Sequence, residues 1–174
     1  PADSITDNNI GIKLPINSVA TLNTIYPKEI AINPSGDRLY ITNMMSNTLS
    51  VFNTANKNLV SKINTGLFPS SVVCHPSGTK VYFCDLENRG VRVVDTSTNT
   101  ISKTIPGNIT NIQYKKIAIN PSGDRIYAID DTTMSVFNAV TEMGIATVIS
   151  TSSASIDLVV HPSDRKSTRL NSSH

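Results

Sequence analysis

The chain has no tryptophan, only two cysteines among 174 residues, 5% aromatic residues and 16% charged residues. Without Trp it lacks the strongest stacking platform for single-stranded nucleic acid. No apolar run approaches the roughly 20 residues of a membrane-spanning helix, so no membrane span is expected. The formal net charge is +2. Residues 164–174 account for it: setting them aside takes Lys+Arg from 15 to 12 and Asp+Glu from 13 to 12. The rest of the chain is therefore neutral, and attraction to nucleic acid by bulk charge is excluded as its property. A phosphate-binding loop, a Ser-His-Asp spacing and a Cys/His cluster are also missing. What is present is 39% hydrophobic residues in a length suited to one domain, enough to bury a core.

Self-similarity is the strongest signal. Asn33-Pro34-Ser35-Gly36 recurs as His75-Pro76-Ser77-Gly78, as Asn120-Pro121-Ser122-Gly123, and as His161-Pro162-Ser163, with the prolines 42, 45 and 41 residues apart. A short apolar run precedes each motif: Ile30-Ala31-Ile32, Val72-Val73-Cys74, Ile117-Ala118-Ile119 and Leu158-Val159-Val160. Three further runs follow each of the first three motifs, for example Leu39-Tyr40-Ile41, Leu49-Ser50-Val51 and Leu59-Val60-Ser61-Lys62-Ile63. The last run of the third unit is Ile145-Ala146-Thr147-Val148-Ile149. Short runs rich in Val, Ile, Tyr and Thr, bounded by turn residues, are strands, and no helical stripe is sustained anywhere. Pro presets φ for a turn and Gly closes the hairpin, while Asn53 and Asp95 begin outer turns that an Asx side chain can bridge.

Four antiparallel strands in about 42 residues is the period of a β-propeller blade. The expected fold class is all-β: a partial β-propeller with three complete four-stranded blades (26–66, 67–107 and 108–150). Half a blade is expected at the N-terminus (1–25) and one strand at the C-terminus (151–163). Propellers close with typically 4–8 blades, so the remaining blades are expected to be missing from this chain and its outermost faces to promote self-association. Residues 164–174 resemble the translation of a sequencing adapter and are expected to be a non-native tail outside the 1–163 propeller.

At Tyr40-Ile41-Thr42-Asn43, just after the Pro-Ser-Gly turn, the unit resembles the YVTN family of β-propeller repeats. Tyr82-Phe83-Cys84-Asp85 and Tyr127-Ala128-Ile129-Asp130 are looser copies, and the Asp95-to-Asn99 turn fits as well. The resemblance implies a seven-bladed type of propeller common in surface-layer, secreted and periplasmic proteins, hence an extracellular, cell-surface or periplasmic location. The family is also similar to lactonase-type and cytochrome-associated propellers, and a fold alone does not fix a function.

Ligands of propellers usually sit on the face formed by the loops after the second strand and between blades. Asn43, Asp85, Glu87, Asp130 and Asp131 stand there as candidate binding residues for a glycan, a peptide or a cation. Against that, Asp and Asn are favoured in turns for backbone reasons alone. His75 and His161 fill the place of Asn33 and Asn120, which favours turn support over a metal or haem site. With residue 74 paired to 81, Cys84 lies opposite 71, too far from Cys74 for a disulfide. Both cysteines are read as small core residues, leaving the redox compartment open. Asn108-Ile109-Thr110 is a lone glycosylation triplet, a weak signal. No catalytic residue, metal or cofactor is expected. The expected function is a non-catalytic interaction scaffold contacting protein or glycan, with no nucleic acid; the alternative is a lactonase-type hydrolase or a redox-enzyme subunit.

Overall fold

The computed structural model describes residues 26–87, 90–107, 113–145, 149–150, 155–160 and 168–172. Every regular element among them is a strand. The first sheet holds β1 (Pro27–Ile32), β2 (Arg38–Asn43), β3 (Thr48–Asn53) and β4 (Leu59–Asn64) in that order. The second repeats it with β5 (Pro69–Cys74), β6 (Lys80–Asp85), β7 (Gly90–Asp95) and β8 (Thr100–Pro106). The third has β9 (Lys116–Ile119), β10 (Arg125–Ile129) and β11 (Thr133–Asn138), with β12 (Met143–Gly144) and β13 (Ile149–Ser150) both paired to β11. All pairings are antiparallel.

The turns show why the repeated motif is needed. In Asn33-Pro34-Ser35-Gly36 the Gly36 amide donates to the Asn33 carbonyl at 2.9 Å, and Gly36 has φ 73°. Gly78 and Gly123 sit at 76° and 75° in the same bond. A side chain disfavours that left-handed region, so glycine closes the turn. Asn33 Nδ2 donates to Ser35 Oγ (2.9 Å) and Asp37 Oδ1 (2.7 Å), while its Oδ1 accepts from the Arg38 amide. Asn120 makes the same cage with Ser122, Asp124 and Arg125. These bonds, Ser hydroxyl first and Asn amide second, hold Asp37 and Asp124 below the usual carboxylate pKa.

Residue alternation sends neighbouring side chains of one strand into different cores. Val81 and Phe83 of β6 join Tyr40, Leu49, Val51 and Val72 between the first and second sheets. Tyr82 and Cys84 point the other way, joining Val91, Val93, Ile126 and Phe137 between the second and third. Tyr127, Ile129, Met134 and Leu158 form a third core, beneath β14 (Ser155–Val160). The repeat tyrosines Tyr40, Tyr82 and Tyr127 thus each enter the interface with the following unit. Side chains of this size stabilise by about 1.5–3 kcal/mol each when fully buried.

The strand expected within 151–163 is β14, and β15 (Thr168–Ser172), from the segment expected to be a tail, pairs with it. Strand β14 presents an edge of unpaired backbone groups, and the tail fills it. In the third unit β12 pairs Met143 and Gly144 with the end of β11, and β13 pairs Ile149 and Ser150 with its start; the middle of the expected strand Ile145–Ile149 lies outside the described residues. The expected half-blade of residues 1–25, the Asn108 triplet and His161 lie outside the described residues.

Burial has a consequence at high pH. Desolvation pushes the Cys74 thiol up to about 12 from 9.0. It also pushes the Tyr82 phenol to about 12 from 10.0, helped by the negative charge of Glu142. Unfolded chain releases these protons near 9 and 10, whereas the folded chain keeps them until about 12. Stability is therefore complete below pH 9 and is lost as pH rises toward 12. Urea midpoints should be level from pH 7 to about 8.5 and fall above 9, and a Cys74→Ala, Tyr82→Phe double variant should reduce that fall. The rest comes from Cys84, Tyr40 and Tyr114, whose pKa burial also raises.

Candidate functional site

The ends of β2, β6 and β10 meet the starts of β1, β5 and β9 on one face of the molecule. The Met44 amide donates to the Tyr26 carbonyl (3.0 Å), Leu86 to Phe68 (3.2 Å), and Lys115 to Ile129 (2.7 Å). Each bond ties the end of a second strand, or the loop just after it, to the segment before a first strand.

Of the five residues singled out by sequence, most are occupied within the fold. Asn43 is fully buried and its Nδ2 donates to Ser50 Oγ (2.9 Å) and Thr48 Oγ1 (3.2 Å). Asp85 is fully buried and forms an ion pair with Arg92 (3.7 Å), whose Nη1 donates to Thr104 Oγ1. Asp130 Oδ1 accepts from the Thr132 and Thr133 amides at 2.8 and 2.7 Å, so it builds its own turn. Glu87 is exposed. Asp131 is exposed and accepts from Lys115 Nζ through both oxygens, at 2.7 and 2.6 Å. Among the described residues, no three His, Cys, Asp or Glu side chains gather where an ion could sit.

The structure instead opens a cleft of about 440 Å³ on this face, lined by Lys28, Met44, Ser70, Leu86, Lys115, Lys116 and Asp131. Asp131 alone belongs to the sequence-derived set. Lys28, Ser70 and Lys115 each stand six residues before the motif proline, so the same repeat position supplies all three. The repeat spacing alone carries that alignment.

Polar bonds across the units hold the cleft floor. Thr42 Oγ1 donates to the Ser70 carbonyl (2.9 Å), and Ser70 Oγ to the Tyr114 carbonyl (3.0 Å). The Ile117 amide donates to Ser71 Oγ at 3.1 Å. Lys116 Nζ reaches Glu29 of the first sheet at 2.9 Å, skipping the second sheet. On the opposite face, His75 Nε2 donates to the Gly123 carbonyl (2.9 Å), leaving Nδ1 to accept from the Ser77 amide (3.0 Å). His75 thus supports its own turn and clamps the next one. Glu142 of the third unit pairs with Lys80 and Lys103 of the second. Burial alone would raise its pKa, but the two lysines outweigh burial and hold it low.

First strands β1, β5, β9 and β14 lie side by side in chain order, with one antiparallel sheet radiating from each of the first three. No protein-family model matches the chain, and no curated protein matches it by sequence. Its fold is similar to that of a propeller-containing protein of known structure, Kuenenia stuttgartiensis hydrazine synthase, with a TM-score of 0.67 and 21% identity. The fold is a partial β-propeller. The match covers 73% of this chain and 36% of that one, so the chain spans about a third of its structural relative. At that identity the likeness concerns architecture alone. In propeller terms the cleft lies on the loop face, beside the inner strands, and each four-stranded sheet is a blade.

Proposed function

We propose that the chain is a non-catalytic binding scaffold that takes a protein or glycan partner on its loop face. The observation behind this reading is the cleft of about 440 Å³, where charged and apolar side chains from three blades converge. A rigid frame supports it, because the loops are tied to inner strands by backbone bonds and the blades share continuous cores. Loops held on such a frame are where propellers and other β-folds place recognition. The finer reading is a YVTN-type repeat protein of the surface-layer or secreted kind, acting outside the cell or in the periplasm. It rests on the Tyr-Ile-Thr-Asn motif and the low charge. Residues 164–174 are in this reading an adapter-derived tail with no part in binding.

Arrays of immobilised peptides and glycans probed with the purified chain test the proposal. Binding is expected, lost on Leu86→Ser at the cleft, and kept by a chain truncated before Asp164. Blank arrays, or binding indifferent to Leu86→Ser, would refute it.

A further inference from the structure

Deepening the loop-face reading on which it rests, we infer that the cleft seats an acidic peptide segment. Carboxylates of that segment lie on Lys28, Lys115 and Lys116, and one apolar side chain lies against Met44, Leu86 and Phe68.

The lysines carry the first half. Lys28 is exposed and forms no ion pair among the described residues, although it lines the cleft. Lys115 and Lys116 already hold carboxylates, those of Asp131 and Glu29. Those bonds show the geometry in which a ligand carboxylate would be held. Lys115 and Asp131 have side chains 49% and 57% exposed, so their pair is weak and exchanges readily for a ligand's. Two carboxylates inside the lysine group disfavour a polyphosphate, whose dense charge would face both of them, and suit spaced single charges.

Phe68 carries the second half. Its φ is 56°, a left-handed conformation that a bulky side chain rarely adopts. The Phe68 amide donates to Asn47 Oδ1 (3.0 Å), and its carbonyl accepts from Leu86, a cleft residue. Two loops thus fix a strained backbone, one hydrogen bond from the cleft residue Leu86, and Phe68 stays 39% exposed. Strain of this kind persists where surrounding bonds over-determine it, and it gathers at ligand clamps. Tyr26 occupies the same repeat position in the first blade, eight residues before the proline, and is 69% exposed. Met45, the neighbour of the cleft residue Met44 in the chain, is 60% exposed. A segment alternating acids with an apolar residue matches both halves.

Fluorescence anisotropy with three fluorescein-labelled pentapeptides tests this: Glu-Asp-Phe-Asp-Glu, Gln-Asn-Phe-Asn-Gln and Glu-Asp-Gly-Asp-Glu. The first is expected to bind best, and to weaken as salt screens the lysines. Lys28→Glu and Lys115→Glu should each cut its affinity by about tenfold, and Lys62→Glu on the outer strand β4 should leave it unchanged. Phe68→Gly, which relieves the backbone, should weaken the first peptide and leave the glycine peptide unaffected. Equal binding of the neutral peptide, indifference to Lys28→Glu, or stronger binding of a uronic-acid oligosaccharide would overturn the acidic-peptide assignment. Any of these would leave the scaffold reading standing if Leu86→Ser still abolished binding. No binding by these probes together with blank arrays would remove both.

Discussion

Asp85→Ala should lower the unfolding free energy by about 3–5 kcal/mol, the usual cost of stranding one partner of a buried ion pair. Asp85 is fully buried at the end of β6, and Arg92 on the neighbouring strand is its cationic partner, with a side chain only 19% exposed. Removing the carboxylate leaves a largely desolvated guanidinium without its counter-charge. Urea denaturation followed by circular dichroism reads the effect. Replacing both residues together, Asp85→Leu with Arg92→Met, should recover much of the loss, because apolar substitutes for buried pairs are often neutral. A residue devoted to ligand contact behaves in the opposite way: its alanine variant keeps its stability and loses only binding. An Asp85→Ala protein as stable as the parent would refute the structural role of the ion pair.

The second large effect comes from two adjacent positions with different consequences. Phe83→Ala and Tyr82→Ala should each cost about 3–5 kcal/mol, since both side chains are fully buried. Phe83 lies in the core between the first and second blades, Tyr82 in the core between the second and third. Hydrogen exchange should therefore show β1–β4 loosening in the Phe83 variant and β9–β11 in the Tyr82 variant, as expected where blades are stabilised by their neighbours. Uniform loss of protection across all blades in both variants would refute that division. Tyr82→Phe should be close to neutral, because the Tyr82 hydroxyl is buried with no hydrogen-bond partner among the described residues.

The blades were legible because their causes are local. Alternation in Val81-Tyr82-Phe83-Cys84 and the Pro-Ser-Gly turns depend on residues within a few positions of each other, and periodic sequence records them directly. The pairing of Cys74 with Val81 followed from the turn, and both thiols are free. The site was less legible because its bonds are long-range. Thr42 meets Ser70 across 28 residues, Ser70 meets Tyr114 across 44, and Lys116 meets Glu29 across 87. Asp130 is the local exception: its bonds to the Thr132 and Thr133 amides are the turn chemistry that its residue type favours. The polar sequence of β15 carries little strand signal, and its place is set by the open edge of β14.

The Glu29–Lys116 bond gives the molecule a brace between alternate blades. A stack in which each unit touches only its neighbours can hinge open at any joint, each opening independent of the next. Here, swinging the first blade away from the second also strains a tie anchored in the third, as in a triangulated frame. The mouth beside Lys116 is thereby bordered by groups from the first and third blades joined directly to each other.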